Sequence, residues 1–555
     1  MRVLTLLAVP AVALPLVAVA PATAQAPEAP RTRVVLLALD GLRPDELTPL
    51  QMPFLSGLAA GGSLYTEGRA VFVPETIPNH VSMVTGAYPD RTGIVANTFP
   101  DVGGDPDDDE VPVDEPEPTF GAVEAGDPAL LQADSLFTLV ERQCPQLVTA
   151  AVTSKDYLYT VMDHDRTGDG EVDADDNFAN VDDPFFVPGL GLTLDERTAP
   201  QAVAVAQQLD PDLLFVNLGS VDRIGHVDPV GGTSTPLPTG SAPVLREAQL
   251  RSTDTLVRAL VTALQADGRW EATTLLVTAD HSMDWSFATS TVSLSPQIEA
   301  DPELAGRFVI AQNGGAALYS LRDRRAPDAP RLLAKLRELA VATDGVDEAL
   351  YRRPNPVDAT GAPVADPEEH WVGRVHPDWH ATHPRNGDLI VTVEDGRRIT
   401  EPSSFSNPIP GNHGMASTLR IPVVVAGGQP GLVAQRVDPG RPVSAFERLP
   451  EQAEQVDLAP TAAWLLGIDP PEGGFDGRVL EEAFTSRPAP TCVVQAGGPA
   501  AEAPTPSVSP APAPGTAAAP ARGRSLPATG PSWTAGVPAL LAVGAALALR
   551  RRRTA

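Results

Sequence analysis

Positive charge is scarce in this sequence. Its 555 residues include 40 lysines and arginines against 71 aspartates and glutamates, which gives a formal net charge of −31. Binding along a duplex nucleic acid requires clustered lysine and arginine side chains that neutralise backbone phosphates. The charge balance therefore argues against a protein that binds duplex nucleic acid.

The N-terminal segment lacks an unbroken apolar run of the length that a membrane-spanning helix needs. The apolar residues from Val3 to Ala20 are interrupted by prolines, and they follow the short positive start Met1-Arg2. Together with the cleavage sequence Ala22-Thr23-Ala24, this pattern predicts that residues 1–24 form an export signal. A membrane-anchoring helix is the alternative, and the prolines disfavour it.

The C-terminal residues carry a second targeting pattern. Residues 486–525 are rich in proline and alanine, which predicts an extended spacer. Residues 526–555 then contain Leu526-Pro-Ala-Thr-Gly530, an apolar segment and an arginine cluster. This order resembles a cell-wall sorting signal, which implies that sortase joins Thr529 to the peptidoglycan of a Gram-positive bacterium. Membrane contact is then expected only during export and sorting; a C-terminal membrane anchor is the alternative.

Cysteine is nearly absent. Cys144 and Cys492 are the only two cysteines. Exported proteins meet oxidising conditions that permit disulfides, so we expect these two residues to be bonded. In the chain-entropy model, closing so long a loop stabilises the fold by roughly 4–5 kcal/mol.

The stretch from Val71 to Asn97, VFVPETIPNHVSMVTGAYPDRTGIVAN, combines helix signals with a candidate nucleophile. Pro78 suits the first turn of a helix and Gly86 suits its exit, so the pattern predicts a helix that runs to about Thr85. Thr76 then lies at the helix N-terminus, where backbone N–H groups and the helix dipole favour a bound phosphate. A threonine hydroxyl is a weak nucleophile unless it is activated, and Thr76 alone also fits an ordinary helix cap.

Candidate metal ligands follow three short apolar runs, Val34–Leu39, Leu213–Leu218 and Thr274–Thr278. These runs are predicted strands, and ligand sites collect at the carboxyl ends of strands in α/β sheets. An aspartate in such a place is, on its own, equally typical of a turn. Aspartate and histidine together suit zinc. The candidates are Asp40, Asp222, His226, Asp280 and His281, joined by His413 from the loop GNHGM.

Five motifs occur in order between Val34 and Phe484, namely ALDGLRPD, PETIPNHVSMVTGAYPDRTGIVAN, VDRIGHVDP, TADHSM and GNHGM. They resemble the ordered motif set of the alkaline phosphatase superfamily, and most closely its nucleotide pyrophosphatase/phosphodiesterase branch. The resemblance implies an α/β catalytic domain over residues 31–485, in which helices flank a central, mostly parallel sheet with inserted loops. Ser282 departs from the usual motif, which has glycine at that place.

The resemblance also implies residue roles. Thr76 would be the nucleophile, and Asn97 would contact a phosphoryl oxygen. One zinc ion would be held by Asp222, His226 and His413, and a second by Asp40, Asp280 and His281, with Thr76 bridging to it. The implied activity is hydrolysis of phosphodiester or nucleotide pyrophosphate bonds in small phosphate esters or nucleotides, through a phosphothreonine intermediate.

Hydrolysis of phosphomonoesters or phosphonates remains the alternative reaction. One monoesterase branch of the superfamily adds a Lys-x-Arg pair after a later strand. The corresponding place here is Thr153-Ser-Lys-Asp-Tyr157, so Lys155 is present and Tyr157 replaces the arginine. The loss of one charge-assisted contact should disfavour monoesters by roughly 1.5–3 kcal/mol, which makes diesters the expected substrates. Lys155 alternatively lies on the surface after a strand.

A sulfatase and a surface adhesin are the two other classes of protein that fit parts of this sequence. A sulfatase of this superfamily needs a cysteine or serine nucleophile that is converted to formylglycine, and threonine cannot be converted. A non-catalytic surface adhesin would keep the wall anchor but could lose metal ligands, and none is missing here.

Two insertions are expected in the catalytic domain. Residues 99–134 are strongly acidic and predict an exposed loop. Residues 165–176 resemble an EF-hand calcium loop, with Gly170 at the sharp turn and Asp176 in place of the usual final glutamate. A structural calcium ion is expected there, although an acidic surface turn is the alternative. Its ligands would be Asp165, Thr167, Asp169, Glu171, Asp173 and Asp176.

Four of the nine histidines crowd together without the carboxylate spacing of a metal site. We expect surface or substrate-lobe roles for them rather than metal binding. They are His370, His376, His380 and His383.

Overall fold

The computed structural model describes most of the predicted catalytic domain. The described residues are 31–100, 130–155, 158, 194–227, 244–285, 290–399, 411–438 and 452–492, together with the backbone of three short strands between 176 and 193. They belong to a compact unit that begins at Arg31. The export signal, the calcium-loop ligands from Asp165 to Asp173, most of the wall spacer and the sorting signal with Thr529 lie outside them; Asp176 is described only as the first residue of a strand.

The helices and strands come in a mixed α/β order. The strands are β1 Arg33–Leu39, β2 Ser63–Arg69, β3 Thr149–Thr153, β4 Asp176–Ala179, β5 Phe186–Val187, β6 Leu192–Thr193, β7 Leu213–Leu218, β8 Thr273–Thr278, β9 Asp284–Trp285, β10 Thr291–Val292, β11 Phe308–Asn313, β12 Ala316–Leu321, β13 Val346–Tyr351, β14 Leu389–Val393, β15 Arg398–Ile399, β16 Gly411–Asn412, β17 Arg420–Gly427 and β18 Gln435–Arg436. The α-helices are α1 Pro53–Ala60, α2 Thr76–Thr85, α3 Pro89–Thr92, α4 Leu136–Gln143, α5 Asp195–Gln208, α6 Ser220–Val227, α7 Val244–Ala266, α8 Ser295–Ala300, α9 Ala329–Val341, α10 Val372–Val375 and α11 Leu458–Leu466.

A central sheet with the order β18-β2-β17-β8-β1-β7-β3-β4 dominates the described chain. Strands β8, β1, β7, β3 and β4 run parallel, whereas β17 pairs antiparallel with both β8 and β2. Every residue of β1, β7 and β8 is buried, as expected for a parallel sheet that helices cover on both faces. The predicted α/β fold with a mostly parallel central sheet flanked by helices is confirmed.

The register of the three central strands aligns their carboxyl ends. Leu39 at the end of β1 pairs with Leu218 of β7, and Ala38 pairs with Thr278 of β8. The residues that follow these strands therefore emerge at one edge of the sheet, where α/β folds bind ligands. Asp40, Asp222 and Asp280 lie just beyond this edge.

A smaller antiparallel sheet with the order β11-β12-β14-β13 is formed by residues between 308 and 393. Helix α9 packs on this sheet through Leu332 and Leu336, which are fully buried in a second hydrophobic cluster. Gly315, between β11 and β12, accepts from Val393 N and donates to His413 O. The second sheet therefore supports the loop that carries the last candidate metal ligand.

The folded body includes residues that the sequence analysis assigns to the wall spacer and to the acidic insertion. Thr491 Oγ1 accepts from Thr32 N at 2.7 Å, and the predicted disulfide between Cys144 and Cys492 is confirmed. Phe99 and Leu130 are buried in the main core, so the ends of the predicted acidic insertion belong to the folded body. Within the described chain, the helices are too short or too polar to cross a membrane.

Candidate metal centre and nucleophile

Helix α2 presents Thr76 as its first residue. The helix ends at Gly86, which has φ +63°, a conformation that glycine adopts without strain and that suits a helix C-terminus. Val71 N–H donates to Asn79 Oδ1, and the Asn79 amide donates to Glu75 O, so the approach to the helix is fixed by one asparagine. Thr76 is 1% exposed, and its hydroxyl lies 3.4 Å from His281 Nε2. The prediction that Thr76 lies at a helix N-terminus is confirmed.

Asp40, Asp280 and His281 meet directly beyond strands β1 and β8. Asp280 Oδ1 accepts from Gly41 N at 3.0 Å and from His281 N at 2.9 Å, so backbone donors hold one of its oxygens. His281 Nε2 lies 3.2 Å from Asp280 Oδ2 and 3.7 Å from Asp40 Oδ1. These three residues form one of two groups in the described chain whose ligand atoms are close enough to share a metal ion.

The second group combines Asp222 and His413 with His281. Asp222 and His226 are one helical turn apart on α6, and His226 Nε2 lies 3.3 Å from Asp222 Oδ1. His413 Nε2 lies 3.8 Å from the same oxygen. The structure therefore brings all six predicted zinc ligands together, with His281 between the two groups and His226 beside the second.

The histidines are oriented as metal ligands usually are, with one ring nitrogen held and the other directed inward. His226 Nδ1 is 2.8 Å from Gly411 O, and His281 Nδ1 is 2.9 Å from Ser282 O. Asp222 Oδ1 and Asp280 Oδ2 are buried and accept no hydrogen bond. Buried carboxylate oxygens facing imidazole nitrogens are a donor set that fits zinc.

Lys155, two residues after the end of β3, lies in the middle of these carboxylates. Its Nζ donates to Asp40 Oδ1 at 2.8 Å, to Asp222 Oδ2 at 2.9 Å and to Thr76 Oγ1 at 3.0 Å. The side chain is 1% exposed, so the alternative of a surface lysine is wrong. Tyr157, the residue at the expected arginine place, lies outside the described residues.

Burial and the crowded carboxylates dominate the electrostatics. Burial, with Asp280 close by, raises the pKa of Asp40 although Lys155 opposes the shift. Burial would also raise the pKa of Asp222, but Lys155 and the neighbouring histidines hold it well below its usual range. Burial, followed by the charge of His413, lowers the pKa of His281 well below its usual range, so this imidazole is neutral and available as a ligand.

Asn97 lies beside the helix N-terminus, as its predicted role requires. Its Oδ1 accepts from Ile77 N at 2.7 Å, and its Nδ2 donates to Glu75 Oε2 at 2.5 Å. The amide is therefore fixed next to Thr76, with its nitrogen on the side of Glu75.

Three supporting residues were not predicted from the sequence. His80 Nδ1 is 2.8 Å from Thr76 O, and its Nε2 is 3.0 Å from Asn217 Nδ2, which also donates to Asp40 Oδ2. Glu75 contacts both Asn97 and His413. The signals available were the i,i+4 spacing of Thr76 and His80, and one polar residue, Asn217, within the apolar strand LLFVNL.

The four crowded histidines between His370 and His383 lie apart from the candidate metal groups, and two of them contact aromatic neighbours. His376 stacks on Trp379 and its Nε2 lies 2.7 Å from Glu348 Oε2, while His380 stacks on Tyr88. Among the described residues, no metal-ligand group includes any of the four. The expectation that these histidines do not bind metal stays a prediction.

Comparison with known proteins adds an independent observation. The family model described as type I phosphodiesterase / nucleotide pyrophosphatase matches residues 34–416, more than half of the chain. The chain belongs to this family. The matched range contains every predicted zinc ligand together with Thr76, Asn97 and Lys155.

Curated members of the phosphodiesterase/nucleotide pyrophosphatase family match over short stretches. The bis(5′-adenosyl)-triphosphatase enpp4 of Xenopus laevis is 44% identical over 69 residues, which is 12% of this chain and 15% of the relative. The corresponding protein of Bos taurus is 40% identical over 70 residues, 13% of this chain and 16% of the relative. The matched stretch thus spans only about one seventh of each relative's length.

Solved structures match over much more of the chain. Murine ectonucleotide pyrophosphatase/phosphodiesterase 5 superposes with a TM-score of 0.56 at 16% identity, over 82% of this chain and 100% of that protein. An inactive variant of the same murine protein in complex with AMP has a TM-score of 0.55 at 17% identity, over 79% of this chain and 96% of that protein. At this identity the likeness shows a shared fold.

Proposed function

We propose that this protein is an exported, wall-anchored, two-zinc phosphoesterase that hydrolyses phosphodiester or nucleotide pyrophosphate bonds through a phosphothreonine on Thr76. The observation that carries the proposal is the position of Thr76 Oγ1, at a helix N-terminus and within 3.4 Å of both His281 Nε2 and Lys155 Nζ. Family membership supports the same reaction class. The solved relative with bound AMP supports a nucleotide as one substrate type.

The residues of the site have separate roles in the reaction. The Thr76 oxygen forms a bond to phosphorus while the bond between phosphorus and the leaving oxygen breaks, and water then cleaves the phosphothreonine to restore the hydroxyl. Asn97 holds a phosphoryl oxygen, and the positive end of the α2 helix dipole favours its negative charge. Asp222, His226 and His413 would hold one zinc ion, and Asp40, Asp280 and His281 the other. When bound, zinc activates an oxygen nucleophile near neutral pH and stabilises the leaving oxygen.

Phosphomonoester or phosphonate hydrolysis is the second candidate. The observation in its favour is Lys155, whose ammonium group is 3.0 Å from Thr76 Oγ1 and could contact an additional phosphoryl oxygen. The test is a panel assay on the purified protein with nitrophenyl phosphate, bis-nitrophenyl phosphate and a nitrophenyl phosphonate ester. We expect the diester to have the highest kcat/KM; a clear preference for the monoester would replace the first proposal by the second.

Export and wall anchorage rest on the targeting patterns in the sequence. The Cys144–Cys492 disulfide supports an oxidising destination, because such bonds are rare in reducing compartments. We expect the protein in the cell-wall fraction of the producing bacterium and expect Thr529→Ala to release it into the medium or membrane fraction. Recovery of the wild-type protein from the cytoplasm would contradict this part of the proposal.

A further inference from the structure

Glu75 is a buried carboxylate that the proposed reaction does not use. It precedes Thr76 directly, occupies the N-cap position of α2 and is 4% exposed. Its Oε2 accepts from Asn97 Nδ2 at 2.5 Å, and its Oε1 lies 3.2 Å from His413 Nδ1. One carboxylate therefore contacts the expected phosphoryl-binding amide and an expected zinc ligand.

The contacts of Asn97 with Ile77 N and with Glu75 together determine which way the amide faces. Because Asn97 Oδ1 accepts from Ile77 N, the nitrogen must lie on the side of Glu75. One Nδ2 hydrogen is directed at the carboxylate, and the second is left to donate to a phosphoryl oxygen. A rotated amide would present its oxygen to the phosphoryl group and repel it.

The same contact brings a negative charge close to the substrate. A phosphoryl oxygen bound by Asn97 Nδ2 would lie about 3 Å from that nitrogen, which is itself 2.5 Å from Glu75 Oε2. Over so short a distance in a buried site, charge repulsion is substantial. A phosphodiester carries one negative charge on its phosphoryl oxygens, whereas a monoester dianion carries two, so the carboxylate opposes the monoester more strongly.

Lys155 and Glu75 have opposite effects on a second negative charge of the bound phosphoryl group. Lys155 Nζ contacts Thr76 from the side of Asp40 and Asp222, whereas Glu75 contacts Asn97 and His413. The ammonium group favours an additional negative oxygen, and the carboxylate disfavours it. The choice between diester and monoester thus depends on both residues.

We propose that Glu75 is a specificity-determining residue, which orients Asn97 and disfavours a second negative charge on the bound phosphoryl group, so that the site selects phosphodiesters and pyrophosphate diesters. The inference rests on the proposed function of Thr76 and deepens it by naming what restricts the substrate class.

The test uses Glu75→Gln in the full-length, zinc-loaded protein. The substitution keeps the size and an acceptor oxygen but removes the charge. We expect the ratio of kcat/KM for bis-nitrophenyl phosphate to that for nitrophenyl phosphate to fall about tenfold, mainly because the monoester improves. Glu67→Gln is the matched control, since Glu67 is a buried carboxylate that pairs with Arg420 outside the site, and its ratio should equal that of the wild type.

A second variant separates charge from position. Glu75→Asp keeps the charge but shortens the side chain, so we expect both substrates to lose rate while the ratio stays within about threefold of the wild type. An active wild type whose ratio is unchanged in Glu75→Gln would overturn the inference alone. A wild type that cleaves neither ester with zinc bound would overturn the proposed function and the inference with it.

Discussion

At the scale of single residues, the site is a buried set of carboxylates grouped around one ammonium group. Asp40 and Asp222 each contact the Lys155 ammonium group, and this one cation touches both predicted metal groups. Removing a buried cation between carboxylates leaves uncompensated negative charge, which costs several kcal/mol unless metal ions replace it. We therefore expect Lys155 to affect both metal binding and the preference for the charge of the substrate.

Lys155→Ala should lower kcat/KM for a phosphomonoester much more than for a diester with the same leaving group. The expected excess loss is about tenfold to hundredfold, because only the dianionic monoester has an additional oxygen for the ammonium group to contact. The measurement is the kcat/KM ratio at saturating zinc, with Lys335→Ala as a control at a surface ion pair. Equal losses for both esters would assign Lys155 a purely structural role.

Asp195, which belongs to neither candidate metal group, is expected to make the stability of the protein depend on pH. Burial, with Glu196 nearby, raises its pKa from 3.8 to about 7 in the folded state. Because the folded pKa is raised, its contribution to stability is fully present below about pH 4 and is lost as the pH rises to about 7.

Asp195→Asn should remove this dependence. The amide keeps an acceptor for Ser220 N and offers Thr253 Oγ1 a donor at every pH. We expect the variant to exceed the wild type in free energy of unfolding by roughly 1–4 kcal/mol at pH 8, with a smaller difference near pH 5. Urea denaturation at both pH values measures this; a variant less stable at pH 8 would contradict the assignment.

At the scale of elements, the strands and their ends could be predicted and the supporting contacts could not. Apolar runs that stop at an aspartate are local patterns, and β1, β7 and β8 appear within one residue of the expected bounds. Glu75 gives no such signal, because its place in the site is defined by contacts with Asn97 and with His413, which lies far along the chain. Long-range side-chain contacts of this kind are set by packing of the whole sheet, not by local periodicity.

Helix α7 also makes long-range side-chain contacts that its sequence does not predict. The spacing of its leucines indicates only a helix that faces the core, yet Arg246 near its start is buried and donates to Gly41 O at 2.8 Å and to Val221 O at 2.9 Å. Those carbonyl groups adjoin the predicted ligands Asp40 and Asp222. The Arg246 guanidinium group also pairs with Glu46.

Arg246→Met should therefore weaken zinc binding as well as the fold. Breaking the buried pair with Glu46 is expected to cost about 3–5 kcal/mol of stability, and loss of the support behind two ligands should lower zinc affinity about tenfold to hundredfold. Competition with a chelator and thermal denaturation measure the two effects. Arg251→Met is the control on the same helix, because its pair with Glu247 is exposed; equal behaviour of the two variants would refute the role of Arg246.

At the scale of the whole molecule, the disulfide joins distant parts of the folded body. Cys144 follows α4, and Cys492 is held to α11 because its N–H donates to Leu466 O. Replacing both cysteines by serine should lower stability by roughly 2–5 kcal/mol. Thermal denaturation of the variant and of the reduced wild type should agree, and a variant as stable as the oxidised protein would contradict the contribution of the bond.

The central claim is that Thr76 is the nucleophile of a metal-dependent phosphodiesterase. The most direct measurement is kcat/KM for bis-nitrophenyl phosphate together with bound zinc, in the wild type and in Thr76→Ala. Because six ligands remain and only the hydroxyl is lost, we expect both zinc ions to stay bound while turnover falls by orders of magnitude. Activity of the variant within about tenfold of the wild type, with zinc bound, would contradict the claim.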